Sequence, residues 1–313
     1  MPVRVLFSAP ASDWTLYEPH LARACAARGL DVVLSPDADD PAAVDYVVYS
    51  PKGGLEDFGA FTRLKAVLSL WAGVERIASN PTLRVPLARM VDAGLTEGMC
   101  DYVAGHVLRY HLGLDDHLAR QDGVWRGDAV PPLARERTVA VLGQGALGRA
   151  AAETLAALGF RTIGWSRTPK PPHPRIDGRS ADDGLAATLA EAEILVLLLP
   201  ATPATENLLD ADRLARLPPR ACIVNPGRGT LIDDAALLAA LDAGEVAHAT
   251  LDVFREEPLP PDHPYWRHPR VTVTPHIAAE TRPSTASEVV AENIARVEAG
   301  RPLLHEVDRA LGY

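Results

Sequence analysis

The chain has 313 residues, with 31 Lys and Arg against 41 Asp and Glu, a formal net charge of -10. That length suits two domains with real cores, and the acidic balance argues against a nucleic-acid or membrane-surface partner, which would need a basic face. Three cysteines far apart in sequence, with no Cys-x-x-Cys pair, give no framework for a metal site or for disulfides.

The first ten residues, MPVRVLFSAP, lack the apolar core of a signal peptide and read as a strand over 3–7. Further apolar runs at 31–35, 46–50 and 65–70 are continuous rather than alternating, as in a parallel sheet covered on both faces. Residues 11–29 form a helical pattern that stops at Gly29, a natural C-terminal cap. A long helical pattern follows over 96–120, and then the Gly- and Pro-bearing loop QDGVWRGDAVPPLARER. A second series places strands at 138–143, 161–165, 193–200, 221–225, 249–254 and 271–275, with helices between. Strand–helix alternation at this rhythm predicts an α/β fold of two doubly wound parallel-sheet domains. The apolar run ILVLLLP is far too short to span a bilayer, so a soluble, cytoplasmic protein without a membrane partner is expected.

In an open parallel sheet, ligands bind beyond the carboxyl ends of the strands, which makes the residues after each strand the candidates. After 138–143 comes Gly143-Gln144-Gly145-Ala146-Leu147-Gly148, a GxGxxG set between a strand and a helix, as a dinucleotide turn requires. The first glycine permits the tight turn, the second lets a pyrophosphate approach, and the third lets helix and strand pack closely. The next strand runs into Trp165, Ser166, Arg167 and Thr168, with Lys170 behind, where an NAD-binding fold usually carries an acid for the ribose. Ser166 and Thr168 can donate to a 2′-phosphate, while Arg167 and Lys170 can neutralise it. NADP(H) is therefore the expected cofactor, with NAD(H) as the alternative.

Leu199, Pro200 and Thr205 belong to a loop suited to run along the nucleotide, and Pro226 opens the glycine-flanked turn that carries Arg228. Asp252 and Glu257 follow the fifth strand of this series, and His276 follows the sixth. Taken singly, each of these groups reads as a loop charge or a core histidine. Together, an arginine, two carboxylates and a histidine reach one edge of one sheet beside a dinucleotide turn. His263 and His268 follow no strand, and His106, His111 and His117 lack the i, i+4 spacing of a helical zinc pair, so no metal is expected.

The strings GQGALG, VNPGRGTLID, LDVFREEPL and VTPHIAAET follow one another in the order and register of the D-isomer-specific 2-hydroxyacid dehydrogenases. LWAGVE and LTEGMCDYV extend that resemblance over nearly the whole chain, and LWAGVE, GWSRT and HPYWRHPRVTVTPHIAAET look most like the glyoxylate/hydroxypyruvate reductase A branch. The resemblance implies a Rossmann-type dinucleotide-binding domain over 98–280 and a flavodoxin-like, split substrate-binding domain from 1–97 and 281–313. It also implies NADPH-dependent reduction of small 2-keto acids, such as glyoxylate and hydroxypyruvate, to 2-hydroxy acids. His276 would be the general acid, held by Glu257, and Arg228 would bind the substrate carboxylate. Asp252 would accept a hydrogen bond from the nicotinamide carboxamide, and the backbone amides of Trp71, Ala72, Gly73 and Val74 would cradle the substrate carboxylate. A homodimer formed around residues 97–130 is implied as well. Two alternatives stay open, a bulkier 2-keto acid beside Trp71 and Trp266, and a dinucleotide-sensing regulatory protein of the same fold.

Overall fold

Strand β1 (Val3–Ser8) opens the chain, and its residues Val5, Leu6 and Phe7 are all buried, as a continuous apolar run demands. The computed structural model describes residues 2–313, which fold as two units. The first holds residues up to Leu95 together with Glu280–Tyr313, and the second holds Thr96–Ala279.

In the first unit, β1 is followed by α1 (Ala11–Ala27), β2 (Val32–Ser35), β3 (Tyr46–Tyr49), β4 (Ala66–Ser69), α2 (Glu75–Ala78) and β5 (Leu87–Ala88). Helix α1 stops where Gly29 turns left-handed, and the Arg28 and Gly29 amides close on the carbonyls of Cys25 and Ala26. The strands pair in the order β2-β1-β3-β4-β5, all parallel, which is the flavodoxin-like arrangement. The two-residue β5 is too short to show as a period in sequence.

Helix α3 (Ala93–His111) leads into the second unit. Its Met99, Val103 and Val107 recur at i, i+4 and i+8, and all three are buried against the second sheet. One uninterrupted helix was expected over 96–120. Instead Gly113 adopts a left-handed conformation and starts a separate short helix, α4 (Leu114–Ala119). A glycine at that conformation costs little, so it ends α3 where a residue with a side chain would have continued it.

The remaining elements are β6 (Thr138–Leu142), α5 (Ala146–Ala157), β7 (Arg161–Ser166), β8 (Ile176–Ser180), α6 (Ala181–Glu191) and β9 (Ile194–Leu197). They continue with α7 (Ala211–Leu214), β10 (Ala221–Asn225), α8 (Asp234–Ala243), β11 (Val246–Leu251), β12 (Val271–Val273) and α9 (Pro283–Glu298), the last returning to the first unit against α1. The seven strands run parallel in the order β12-β11-β10-β9-β6-β7-β8. The order reverses between β6 and β9, which is the switch point where Rossmann-type sheets bind nucleotides. Along β6, Ala140 and Leu142 enter one core with α6 and α8, while Val139 and Val141 enter the other with α3 and α5. Each fully buried Val or Leu contributes roughly 1.5–3 kcal/mol, so this double burial fixes both the strand and its register.

Strand β8 is absent from the apolar pattern because it is an edge strand whose only buried residue is Ile176. Its partner β7 specifies it through the backbone ladder instead.

Candidate active site

The GxGxxG turn joins β6 to α5. Gly143 has a φ of 103°, and a side chain there would run into the Leu198 carbonyl. A side chain on Gly148 would strike the Gly143 carbonyl, so only glycine lets the helix sit this close. Gly145, in contrast, faces open space at the N-terminus of a twelve-residue helix that no side chain caps. Its unsatisfied amides make a ready seat for a pyrophosphate, so this turn fits a dinucleotide. Ala146 beside it is exposed, and Leu147 is half-buried.

Gln144 turns inward. It is buried, its Nε2 donates to the carbonyls of Val141 and Gly143, and its amide packs over the bare backbone of Gly164. The turn after β7 is also partly committed to itself. Ser166 is buried and donates its hydroxyl to the Thr168 carbonyl at 2.8 Å, so its proton is used within the loop. Arg167, Thr168 and Lys170 are exposed. Thr205 likewise closes its own loop, donating to the Pro200 carbonyl and accepting from the Thr202 amide. Leu199 and Pro200 are half-buried along that loop.

After β10, Asn225 is 1% exposed and binds the following turn through both ends of its amide. Its Nδ2 donates to the Arg228 carbonyl at 2.9 Å, and its Oδ1 accepts from the Gly227 amide at 3.2 Å. Pro226 is buried within this turn, and a side chain on Gly229 would collide with the Phe254 backbone. Arg228 is thereby held half-buried at the carboxyl edge, where its charge helps to hold the Glu257 carboxyl down.

Glu257 and His276 form a hydrogen-bonded pair at the site. His276 Nδ1 lies 2.8 Å from Glu257 Oε2, while Glu257 Oε1 accepts from the Phe254 amide at 2.9 Å. Burial pushes the Glu257 carboxyl up, but the hydrogen bonds from His276 and Phe254 and the charges of His276 and Arg228 outweigh it. The carboxyl ends below its ordinary value. An ionised carboxylate only accepts, so Nδ1 carries the hydrogen and Nε2 is left for proton exchange.

Asp252 is wholly buried. Its Oδ1 accepts from the Thr274 hydroxyl at 2.6 Å and the Ile277 amide at 2.9 Å, and its Oδ2 accepts from the Ala278 amide at 2.9 Å. Its backbone carbonyl also takes the His276 amide at 2.9 Å. The turn bearing His276 is thus wrapped around this carboxylate. His276 itself has a φ of 55°, a conformation that costs a side-chain-bearing residue about 1–2 kcal/mol. Hydrogen bonds to a charged acceptor contribute about 1.5–3 kcal/mol each, so the cage outweighs the strain.

In the first unit, the 71–74 loop follows β4. The Trp71 amide is taken by Ser69 Oγ at 3.0 Å, whereas the amides of Ala72 and Gly73 have no partner among the described residues. Val74 is buried at the start of α2. Lys52 Nζ lies 5.5 Å from the centre of the Trp71 ring.

The other histidines serve elsewhere. His263 accepts from the Tyr265 amide and packs against that ring at a tilt, and His268 pairs with Asp242. Among the described residues, no cluster of three or more His, Cys, Asp or Glu could hold a metal ion, and no helix is long and apolar enough to cross a membrane. Sequence reasoning missed the contacts that Asn225 and Thr274 make within these turns. Asn225 carried one usable signal, an Asx residue at a strand end before a glycine turn.

A strand–GxGxxG–helix unit at the switch point, with Arg228, Glu257 and His276 on the same edge, defines a nicotinamide-dependent oxidoreductase. Residues 106–278 match the family model described as D-isomer specific 2-hydroxyacid dehydrogenase, NAD binding domain. The chain is 41% identical over 290 residues to the glyoxylate/hydroxypyruvate reductase A of Serratia proteamaculans, covering 89% of this chain and 90% of that one. It resembles a D-isomer specific 2-hydroxyacid dehydrogenase of Xanthobacter autotrophicus, solved with NADPH and MES, at 38% identity and a TM-score of 0.91 over all of both chains. A glyoxylate/hydroxypyruvate reductase of Sinorhizobium meliloti, solved with NADP and sulfate, matches at 35% identity and a TM-score of 0.85, covering 100% of this chain and 99% of that one. The chain belongs to the D-isomer specific 2-hydroxyacid dehydrogenase family, in its glyoxylate/hydroxypyruvate reductase A branch.

Proposed function

We propose that this protein reduces small 2-keto acids, glyoxylate and hydroxypyruvate foremost, to 2-hydroxy acids with NADPH. The observation that carries the reading is the His276–Glu257 pair at 2.8 Å, set beside Arg228 at the carboxyl edge of the nucleotide-type sheet. Bound at the Gly143–Gly148 turn, NADPH supplies the hydride. His276 gives a proton from Nε2 to the carbonyl oxygen, and the ionised Glu257 keeps the imidazole oriented through the bond at Nδ1. Arg228 binds the substrate carboxylate and polarises the carbonyl, for which its planar fork is suited. In this reading Asp252 takes the nicotinamide carboxamide, which requires its wholly buried carboxylate to be uncovered as the cofactor seats. The second unit is the dinucleotide-binding domain. The first is the substrate-binding domain, whose Ala72 and Gly73 amides suit a carboxylate.

Arg167 and Lys170 favour a 2′-phosphate through charge, with Thr168 as the hydroxyl donor, since Ser166 has already spent its proton on the loop. NAD(H) is the weaker cofactor in this reading, in keeping with the NADPH and NADP named for the two similar structures. The segment after α3 leaves Leu118, Val124, Trp125, Val130 and Leu133 exposed, Trp125 by 96%, which supports a second copy of the chain as its cover. Light scattering reading a monomer mass would remove the dimer. The deciding experiment for function is kcat/KM for glyoxylate, hydroxypyruvate, pyruvate and phenylpyruvate with NADPH and with NADH. No turnover of any of the four would favour a dinucleotide sensor, and a preference for phenylpyruvate would favour the bulkier substrate.

A further inference from the structure

One face of α3 carries Tyr102, His106 and Tyr110 at i, i+4 and i+8, and each meets a threonine of the neighbouring strands or of the turn that follows them. Tyr110 Oη lies 2.5 Å from Thr250 Oγ1, His106 Nδ1 lies 3.3 Å from the same atom, and Tyr102 Oη lies 2.7 Å from Thr274 Oγ1. The last of these contacts continues inward, because Thr274 Oγ1 lies 2.6 Å from Asp252 Oδ1.

Proton counting sets the direction of that chain. Asp252 Oδ1 only accepts when ionised, so the single hydroxyl hydrogen of Thr274 goes to it. Tyr102 must then be the donor to Thr274. The phenol suits that role, since burial holds its pKa well above the ordinary value even though the hydrogen bond with Thr274 pulls the other way. The resulting line of hydrogen bonds, Tyr102 to Thr274 to Asp252, ends on the carboxylate around which the His276 turn is wrapped. Successive hydrogen bonds of one polarity strengthen one another in a dry interior. Met99 and Val103 of α3 also share a core with Ala278, the last residue of that turn, so the helix supports it by packing as well.

We propose that Tyr102 and Thr274 are positioning residues for the reaction, which hold Asp252, and through it the left-handed His276 turn, in the geometry that proton transfer needs. Neither touches a reacting atom. This inference rests on the proposed role of His276 as general acid, so its test must separate the two.

Thr274→Val keeps the shape of the side chain and removes its hydroxyl, Tyr102→Phe removes the outer donor alone, and Thr274→Ser restores the hydroxyl. Expected are a fall in kcat for glyoxylate of roughly 10²-fold for Thr274→Val and about tenfold for Tyr102→Phe, the scale of a small misplacement of a reacting group. Thr274→Ser should recover most of the loss, and KM and NADPH affinity should change far less than kcat. In parallel, the imidazole signals of His276, assigned with His276→Gln, report the Nδ1–H bond to Glu257 by NMR without any turnover. They should shift in Thr274→Val and Tyr102→Phe and return in Thr274→Ser. Unmoved imidazole signals, or kcat within twofold of the parent in both variants, would overturn the inference. If the parent itself reduces no keto acid, the imidazole signals still decide whether the relay holds the turn. If Thr274→Val fails to fold, Tyr102→Phe decides it alone.

Discussion

The turn after β12 and the turn after β7 leave the same edge of the same sheet, yet they are built in opposite ways. The first carries His276 and closes around a carboxylate with no exposure at all, which takes two amides and one hydroxyl. The second carries Arg167, Thr168 and Lys170 on an exposed stretch, with the Ser166 hydroxyl donating to the Thr168 carbonyl. In the proposed reaction the His276 turn holds a proton donor, which must sit within a fraction of an ångström of its productive position, whereas the charges proposed to face a phosphate act over several ångströms. The difference teaches where substitution should be ruinous and where it should only re-tune.

The largest effect should come from the anchored turn. His276→Gln should lower kcat by about 10³-fold or more, with NADPH binding near that of the parent by fluorescence titration. Retained activity would take His276 out of the mechanism. Removing the centre of the same turn is the next test. Asp252→Ala leaves the buried Ala278 amide and the partly buried Ile277 amide without their acceptor, so unfolding in urea should show a loss of roughly 3 kcal/mol. A midpoint equal to the parent's would mean that the turn does not depend on this carboxylate.

The open turn should respond differently. Arg167→Asp ought to leave the thermal midpoint almost unchanged and reverse the cofactor order, with kcat/KM for NADPH over NADH falling by about 10²-fold. An unchanged preference would mean that the discrimination lies in other residues.

The smallest effect concerns the strand side of the α3 contact. Burial lowers the His248 pKa from 6.5 to about 4, with Asp115 opposing and Arg109, His106 and His268 assisting. Between those two values the unfolded chain binds a proton that the folded chain does not. Stability is therefore fully present above pH 6.5 and declines as the pH falls toward 4. Allowing for solvent screening, the loss is on the order of 1–2 kcal/mol. His248→Asn should flatten this part of the curve in urea titrations across the window, and an unaltered slope would assign the acid sensitivity to other groups.

Much of this site was legible in the residues because strand ends can be counted. The glycine turn, the Arg228 turn and the Pro275-His276 pair each follow a run of apolar residues, and a parallel sheet brings all such ends to one edge. What periodicity could not carry was orientation. Gln144, Ser166 and Thr205 follow their strands as counted, but their side chains donate to their own loops. Strand β8 and the break at Gly113 were hidden for a related reason. An edge strand needs little apolar sequence, and a left-handed glycine within a helical pattern looks like any other glycine.

The sequence by itself determined the two α/β units, the glycine turn and which charged groups and histidine follow the strands, because these depend on local period, on missing side chains and on residue order. Tertiary structure alone decided that Asp252 is caged by the turn it organises and that Tyr102, about 150 residues before it, reaches that cage through Thr274. A hydrogen bond between distant segments leaves no period in the chain. It exists only once burial has removed water as the competing partner.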